Sequence, residues 1–289
     1  MAINTDSKRP TQWLALHFPQ RTEKDHLERL AAWCYQYSSQ VRIATRRNGL
    51  LLEVAASQRL FGDAEALAER ISAELGELGH HPTSGIAPTP EAAHLAARHG
   101  LNIRTCRDIH KDVGTHGIGR LYLEPSQIQA LQKTGLRTIA EILRLPRKAL
   151  ARRLGPAVSD YLDRLLGHRP DPGKNFRPPD SFSAGMDIPE TIHTQGLIFP
   201  LKRLVQELCG ALRARDRGIQ VFEIRLQFTR PQSGKHTEAI GLTLHQATRS
   251  ESHLMMLLRE RLERLHLPCP VHHIHVEAPC FLAFAAVQP

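Results

Sequence analysis

The chain has 289 residues, 41% of them apolar and 23% charged, with a formal net charge of +9. That length suits about two domains with substantial cores, and the composition excludes a disordered or fibrous chain. No apolar run approaches the roughly 18 residues of a membrane helix, and Met1-Ala2-Ile3-Asn4-Thr5-Asp6 lacks the basic-then-apolar pattern of a secretory leader. Five scattered cysteines (Cys34, Cys106, Cys209, Cys269, Cys280) without CxxC spacing read as reduced, mostly buried thiols of a cytoplasmic protein, not as a disulfide frame or zinc site.

Residues 1–100 read as an α/β unit. Trp13–Phe18 is a short apolar strand, and Leu27, Leu30, Ala31, Cys34 and Tyr35 recur at helical spacing through Asp25–Tyr37. Val41–Ile43 and Leu50–Val54 predict strands. Asp63-Ala64-Glu65 opens a helix with acidic residues at its positive end, and Leu67, Ile71, Leu75 and Leu78 line one face until Gly79. Ser84–Ala87 is a further strand. Thr89 then caps a helix with Pro90 at its first position, running to Gly100. Strands alternating with helices predict one sheet covered by helices.

Residues 101–175 are helical and punctuated: Pro125–Gln132, Ile139–Leu143, Pro146–Leu154 and Ala157–Leu166, with breaks at Gly135, Gly155-Pro156 and Gly167. The turn Thr134-Gly135-Leu136-Arg137-Thr138 between the first two helices suits a helix–hairpin–helix element, which offers backbone N–H groups to a phosphate. A plain helical corner fits the turn equally well. The charge favours nucleic acid. Residues 1–100 carry 11 Lys and Arg against 11 Asp and Glu, residues 101–180 carry 15 against 8, and residues 181–289 carry 12 against 10. The excess therefore sits in the helical stretch, where Lys133, Arg137, Arg144, Arg147, Lys148, Arg152 and Arg153 flank the turn. A local basic region is the footprint of a phosphate binder, although a solubilising surface has the same composition.

Residues 168–180 hold four prolines and one glycine and predict a semi-extended linker. Beyond it the order is strand Phe182–Ile188, helix Phe199–Arg215, strand Gln220–Thr229, strand His236–Leu244, helix Ser250–Leu265 and strand Val271–Glu277, with a hairpin at Pro231-Gln232-Ser233-Gly234. That βαββαβ order is a split-βαβ module. His273 and His275 share a face of the last strand, and two imidazoles without a nearby third ligand read as a half-exposed strand in preference to a metal site. The fold class expected is α+β and multidomain.

Several of these pieces resemble Y-family DNA polymerases, the translesion enzymes, and most closely their ImuB branch. The similar stretches are Trp13–Pro19, Leu50–Gly62, Gly85–Arg98, Gly135–Gly155 and the helix at 258–265, in the family's order. The resemblance implies a reduced palm over 1–100, a thumb over 101–167, a linker over 168–180 and a little finger over 181–289. It implies that the fingers, which would lie between His17 and Asn48, and the tail that follows in ImuB relatives are missing. Where the family places its metal-binding carboxylates the chain has His17, Asn48 and Gly49, with Pro19 in place of a second acid. Nucleotidyl transfer needs two Mg²⁺ ions held by hard oxygen ligands, so a non-catalytic protein without cofactors is expected. Glu53, four residues beyond Gly49, is about 13 Å away at about 3.3 Å per residue and cannot substitute.

The function implied is that of a non-catalytic DNA-binding accessory in error-prone translesion synthesis and SOS repair. Its partners would be DNA, held without sequence preference, an ImuA-type RecA-like protein and a C-family error-prone polymerase. Candidate contacts are Lys133, Gly135, Leu136, Arg137 and Thr138 in the hairpin, and Arg225, Gln227 and Thr229 on one strand face. The alternatives are a protein-interaction scaffold without DNA binding, and an enzyme whose metal site is assembled from distant residues. Gln58-Arg59-Leu60-Phe61 resembles a sliding-clamp peptide slightly, but helix-start packing is the expected role.

Overall fold

The strands expected at Trp13–Phe18 and Leu50–Val54 are present in the structure. It is a computed structural model that describes residues 11–101, 103–105, 108–229 and 236–284. Strand β1 (Trp13–His17) and strand β3 (Gly49–Glu53) lie at the centre of a sheet ordered β2-β3-β1-β4, with β2 at Val41–Ala44 and β4 at Thr83–Ala87. Every pairing is antiparallel. In chain order the helices here are α1 (Lys24–Cys34), α2 (Gln58–Phe61), α3 (Ala64–Glu77) and α4 (Pro90–Ala97). Asp63 caps α3 by accepting from Ala66 N–H, and Thr89 caps α4 by accepting from Ala92 N–H, as the capping signals predict.

The chain divides into two compact units. The first comprises Met1–Leu27 with Ser38–Phe176, and the second Glu28–Tyr37 with Arg177–Pro289. In the first unit one hydrophobic cluster runs from the sheet (Trp13, Ala15, Leu51, Ala87) through the alanine-rich α4 into the helices that follow. These are α5 (Asp108–Asp112), α6 (Pro125–Lys133), α7 (Ile139–Leu143), α8 (Arg147–Leu154) and α9 (Pro156–Leu165). Helix α5 has too few periodic apolar positions to be legible in the sequence. Ile109 and Val113 bury it nonetheless.

The second unit is β5 (Phe182–Thr191), α10 (Gln195–Arg213), β6 (Arg217–Phe228), β7 (Thr237–Thr248), α11 (Glu251–Glu263), β8 (Val271–Ala278) and the short β9 (Leu282–Ala283). The sheet order is β5-β8-β6-β7, and β9 pairs with the start of β6. Strands β5 and β6 are both antiparallel to β8, which lies between them; β6 likewise separates β7 from β8. Each β-helix-β crossover is thus split by a strand of the other, as the βαββαβ order predicts. Phe222, Ile224, Leu226 and Phe228 face a core shared with Leu197, Leu201 and Leu208 of α10 and Leu254 and Leu258 of α11.

Several boundaries differ from expectation: β5 runs on to Thr191, β7 runs on to Thr248, and β6 begins at Arg217. Helix α10 begins four residues before Phe199 and carries Pro200 inside it. Pro200 is the sixth residue of the helix, past the free first turn, so it cannot donate to Gly196 O, and the burial of Leu197 and Pro200 offsets that loss. Strand β6 ends at Phe228, leaving Thr229 outside it. The hairpin at 231–234 lies outside the described residues.

Gly210 on α10 packs against Trp33, which belongs to the same unit and is 3% exposed; a Cβ at 210 would lie 2.1 Å from Trp33 Cδ1. Glycine to alanine inside a helix ordinarily stabilises by about 1 kcal/mol. Here the sign reverses, and Gly210→Ala is expected to cost about 1–3 kcal/mol through overpacking, read as a lower urea midpoint.

Candidate nucleic-acid interface

The three residues that the resemblance sets at metal-binding positions do come together. His17 and Gly49 are cross-strand partners at the end of β1 and the start of β3, and Asn48 precedes Gly49. Each is committed to holding the backbone. Asn48 adopts a left-handed φ of 50°, which asparagine tolerates better than most residues. Its Nδ2 donates to Phe18 O (2.6 Å) and Gln20 O (2.5 Å), and its Oδ1 accepts from Thr22 N–H (2.9 Å). His17 Nδ1 lies 3.0 Å from Arg47 O and, facing a carbonyl, carries the proton. A Cβ on Gly49 would sit 2.4 Å from Leu16 O, so the backbone itself leaves no room for a side chain there. Magnesium needs several hard, preferably anionic oxygens, and this donor set does not fit it. Glu53, at the far end of β3, is buried, with its Oε1 accepting from Gln12 N–H and Ala55 N–H. Among the described residues no three His, Cys, Asp or Glu side chains cluster as metal ligands do.

Beside this point lies an ionic cluster that the sequence did not reveal. Glu91 on α4 is 5% exposed and meets Arg47 Nη2 at 2.6 Å and Arg164 Nε at 3.5 Å. Burial pushes the Glu91 carboxyl above its usual range, and Arg47 opposes that shift. The Arg47 guanidinium lies 4.4 Å above the Tyr122 ring. His94, one helical turn from Glu91, is 3% exposed; burial, then Arg47 and His17, push it down to about 3.

The hairpin has the predicted form. Helix α6 ends at Lys133, Gly135 takes φ +84°, and Thr138 caps α7. Lys133 and Arg137 are exposed, while Leu136 is half-buried against the core. The backbone donors, however, are satisfied within the protein. Gly135 N–H donates to Gln132 O and Leu136 N–H to Leu131 O. Arg137 N–H and Thr138 N–H both donate to Glu141 Oε2, at 2.7 and 2.9 Å, and these bonds hold that carboxyl below its usual range. Glu141 thus occupies the position at which the hairpin would receive an anion. The charge offered outward comes from side chains: among the described residues Lys133, Arg137, Arg144, Lys148, Arg152 and Arg153 are exposed and form no ion pair, whereas Arg147 is bound to Asp163.

The second predicted row is only partly assembled. Arg225 and Gln227 share the open face of β6, but Thr229 lies past the strand end with its hydroxyl oxygen buried. Arg225 is neutralised between Glu223 (2.5 Å) and Glu277 (3.1 Å). The neighbouring strands add Asp187, bonded to His273 Nδ1 at 2.7 Å, and His275, whose Nε2 is 3.0 Å from Ser183 Oγ. His273 and His275 are therefore a half-exposed strand surface, as expected. Leu60 corrects the packing role expected of Gln58–Phe61: it is 81% exposed, because a helix of only four residues turns one position outward. Cys34, Cys209 and Cys269 are buried and Cys280 is exposed; Cys106 lies outside the described residues.

No family model matches the chain. It is 26% identical over 265 residues to Protein ImuB of Caulobacter vibrioides, in each of two strains, covering 91% of this chain and 57% of that protein. The chain thus spans a little over half the length of the curated relatives it matches. Among solved structures, DinB from Sulfolobus solfataricus covers 89% of this chain and 76% of its own at 18% identity, with a TM-score of 0.43. A Dbh ternary complex covers 91% and 80% at 17% identity, also with a TM-score of 0.43. By sequence the chain is ImuB-like, as its motifs implied. No helix among the described residues is long and apolar enough to cross a membrane.

Placing side chains with carboxylates at 48 and 49 is expected to damage the fold. Asn48→Asp turns two donated hydrogen bonds into a carboxylate facing two carbonyls and should cost about 2–3 kcal/mol. Gly49→Ala should cost more than about 2 kcal/mol by forcing β1 and β3 apart. Chemical denaturation of each variant measures both. His94 sets a pH dependence. The unfolded state protonates it near pH 6.5 and the folded state only near pH 3, so stability falls as pH drops between those values. The contribution approaches about 1.4 kcal/mol per pH unit. His94→Leu should flatten the stability–pH curve between pH 6 and 4 relative to wild type, whatever its effect at pH 7.

Proposed function

We propose that this chain is a non-catalytic DNA-binding accessory of the error-prone translesion machinery, of the ImuB kind. The observation that carries the non-catalytic half is the trio His17, Asn48 and Gly49, whose polar groups are bound to backbone and whose glycine has Leu16 O against it. Two-metal transfer has no anionic oxygens to use there. In this picture residues 1–100 are a reduced palm, 101–167 a thumb, 168–180 a linker and 181–289 a little finger. The protein would hold DNA in the cytoplasm while an ImuA-type RecA-like protein and a C-family polymerase supply the remaining functions, during an SOS response.

DNA binding is supported by the exposed cations around the hairpin that form no ion pair, Lys133 and Arg137 foremost. Gly135, Leu136 and Thr138 would shape that contact instead of donating to it, unless a phosphate displaces Glu141. Arg225 and Gln227 would be secondary, because two carboxylates already flank Arg225. Those carboxylates also favour a second reading, a mutasome scaffold that does not touch DNA through this sheet.

Titration of labelled primer–template DNA at several salt concentrations tests both. If about four cations neutralise phosphates, log K should fall against log salt with a slope of roughly −3 to −4, without sequence preference. Lys133→Ala with Arg137→Ala should weaken binding at least about fivefold with an unchanged melting temperature, and Arg225→Ala should change it less. Unchanged affinity in both would favour the scaffold. Primer extension by the wild-type protein with Mg²⁺ or Mn²⁺ would overturn catalytic silence.

A further inference from the structure

A proline-rich stretch is expected to run free, but residues 171–176 are fastened along β2. Phe176 N–H donates to Val41 O at 2.7 Å, and Arg42 Nε donates to Asn175 Oδ1 at 3.1 Å. Gly173 N–H folds back onto Asp171 Oδ1 at 2.9 Å. The same Asp171 oxygen stands 3.6 Å from Arg42 Nη1, which is buried and has no hydrogen-bond acceptor. Arg42 itself lies 4.4 Å over the Trp13 ring and is therefore held from both sides.

Between this wall and the single turn Thr45–Arg47 that follows β2 is a cavity of about 460 Å³. Its lining includes four cations, Arg42, Arg46, Arg47 and Lys174, against two carboxylates, Glu91 and Asp171. Both carboxylates are already engaged in fixing Arg47 and Arg42. Arg46 and Lys174 are exposed and form no ion pair among the described residues. Leu51 and Ile43 supply an apolar floor, which strengthens the field of the cations above it. No Trp, Tyr or Phe lines the cavity, so a base would have nothing to stack on.

We propose that this cavity is a phosphate-binding site, with Arg42 and Arg47 as fixed donors and Arg46 and Lys174 closing on the ligand. Guanidinium forks match the oxygens of a phosphate bidentately, and a pair of lone cations completes its neutralisation. The phosphate is either that of a small free polyphosphate or one in a nucleic-acid backbone. Only the second source rests on the DNA-binding function proposed above.

Calorimetric titration with inorganic pyrophosphate tests the cavity directly. The wild-type chain should bind it, and Arg46→Ala with Lys174→Ala should weaken binding at least about fivefold. Arg259→Ala, an exposed charge on α11, should leave it unchanged. Both pocket residues are exposed and unpaired, so the melting temperature should not move. The same variants titrated with primer–template DNA separate the sources. A backbone phosphate predicts weaker DNA binding and a salt slope shallower by about 2, whereas a free polyphosphate predicts unchanged DNA binding. Absence of pyrophosphate binding by wild type, or equal binding by the double variant, overturns the site. Wild type that binds pyrophosphate but not DNA would instead overturn the DNA-binding function and leave the site standing.

Discussion

The carbonyl of Leu16 stands where a side chain at residue 49 would begin, and much of the N-terminal unit follows from that contact. It lets β1 and β3 close into a sheet whose central strands are buried on both faces, and it requires glycine at 49. Residue 48 must then turn the chain into β3 from a left-handed conformation, and asparagine does so while binding three backbone groups of the 18–22 loop. A pair of carboxylates at these positions would meet backbone in one case and two carbonyl oxygens in the other. Acidic side chains at these two positions would therefore find a backbone without room for them.

Charge is arranged by burial. Cations close to the core of the first unit are each bound to an acid: Arg47 and Arg164 to Glu91, Arg147 to Asp163, Arg42 to Asp171. An unpaired charge in such places would be costly. Those on the helical surface around Gly135 are left without ion pairs, and there the sequence's positive excess becomes available to a polyanion. The C-terminal sheet is the reverse case. Its open face sets Asp187, Glu223 and Glu277 against Arg225, so the face with the expected strand periodicity has little net attraction for phosphate.

What the sequence by itself determined was the local architecture. Apolar runs marked β1 and β3, Asp63 and Thr89 marked the starts of α3 and α4, and the βαββαβ order marked the split sheet, because caps and periodicity act over a few residues. It also determined the absence of acids at 17, 48 and 49 and the positive φ at Gly135, which a tight turn between two helices requires. Which polar groups meet was decided only by the tertiary structure. Glu141 takes up Arg137 and Thr138 N–H, two carboxylates 54 residues apart in sequence close on Arg225 with Glu223 next to it, and 171–176 docks on β2. Such pairings depend on the spacing of surfaces brought together from distant parts of the chain. Composition can state that a region is basic, but whether a given cation is free to hold a phosphate depends on the acids that folding places beside it.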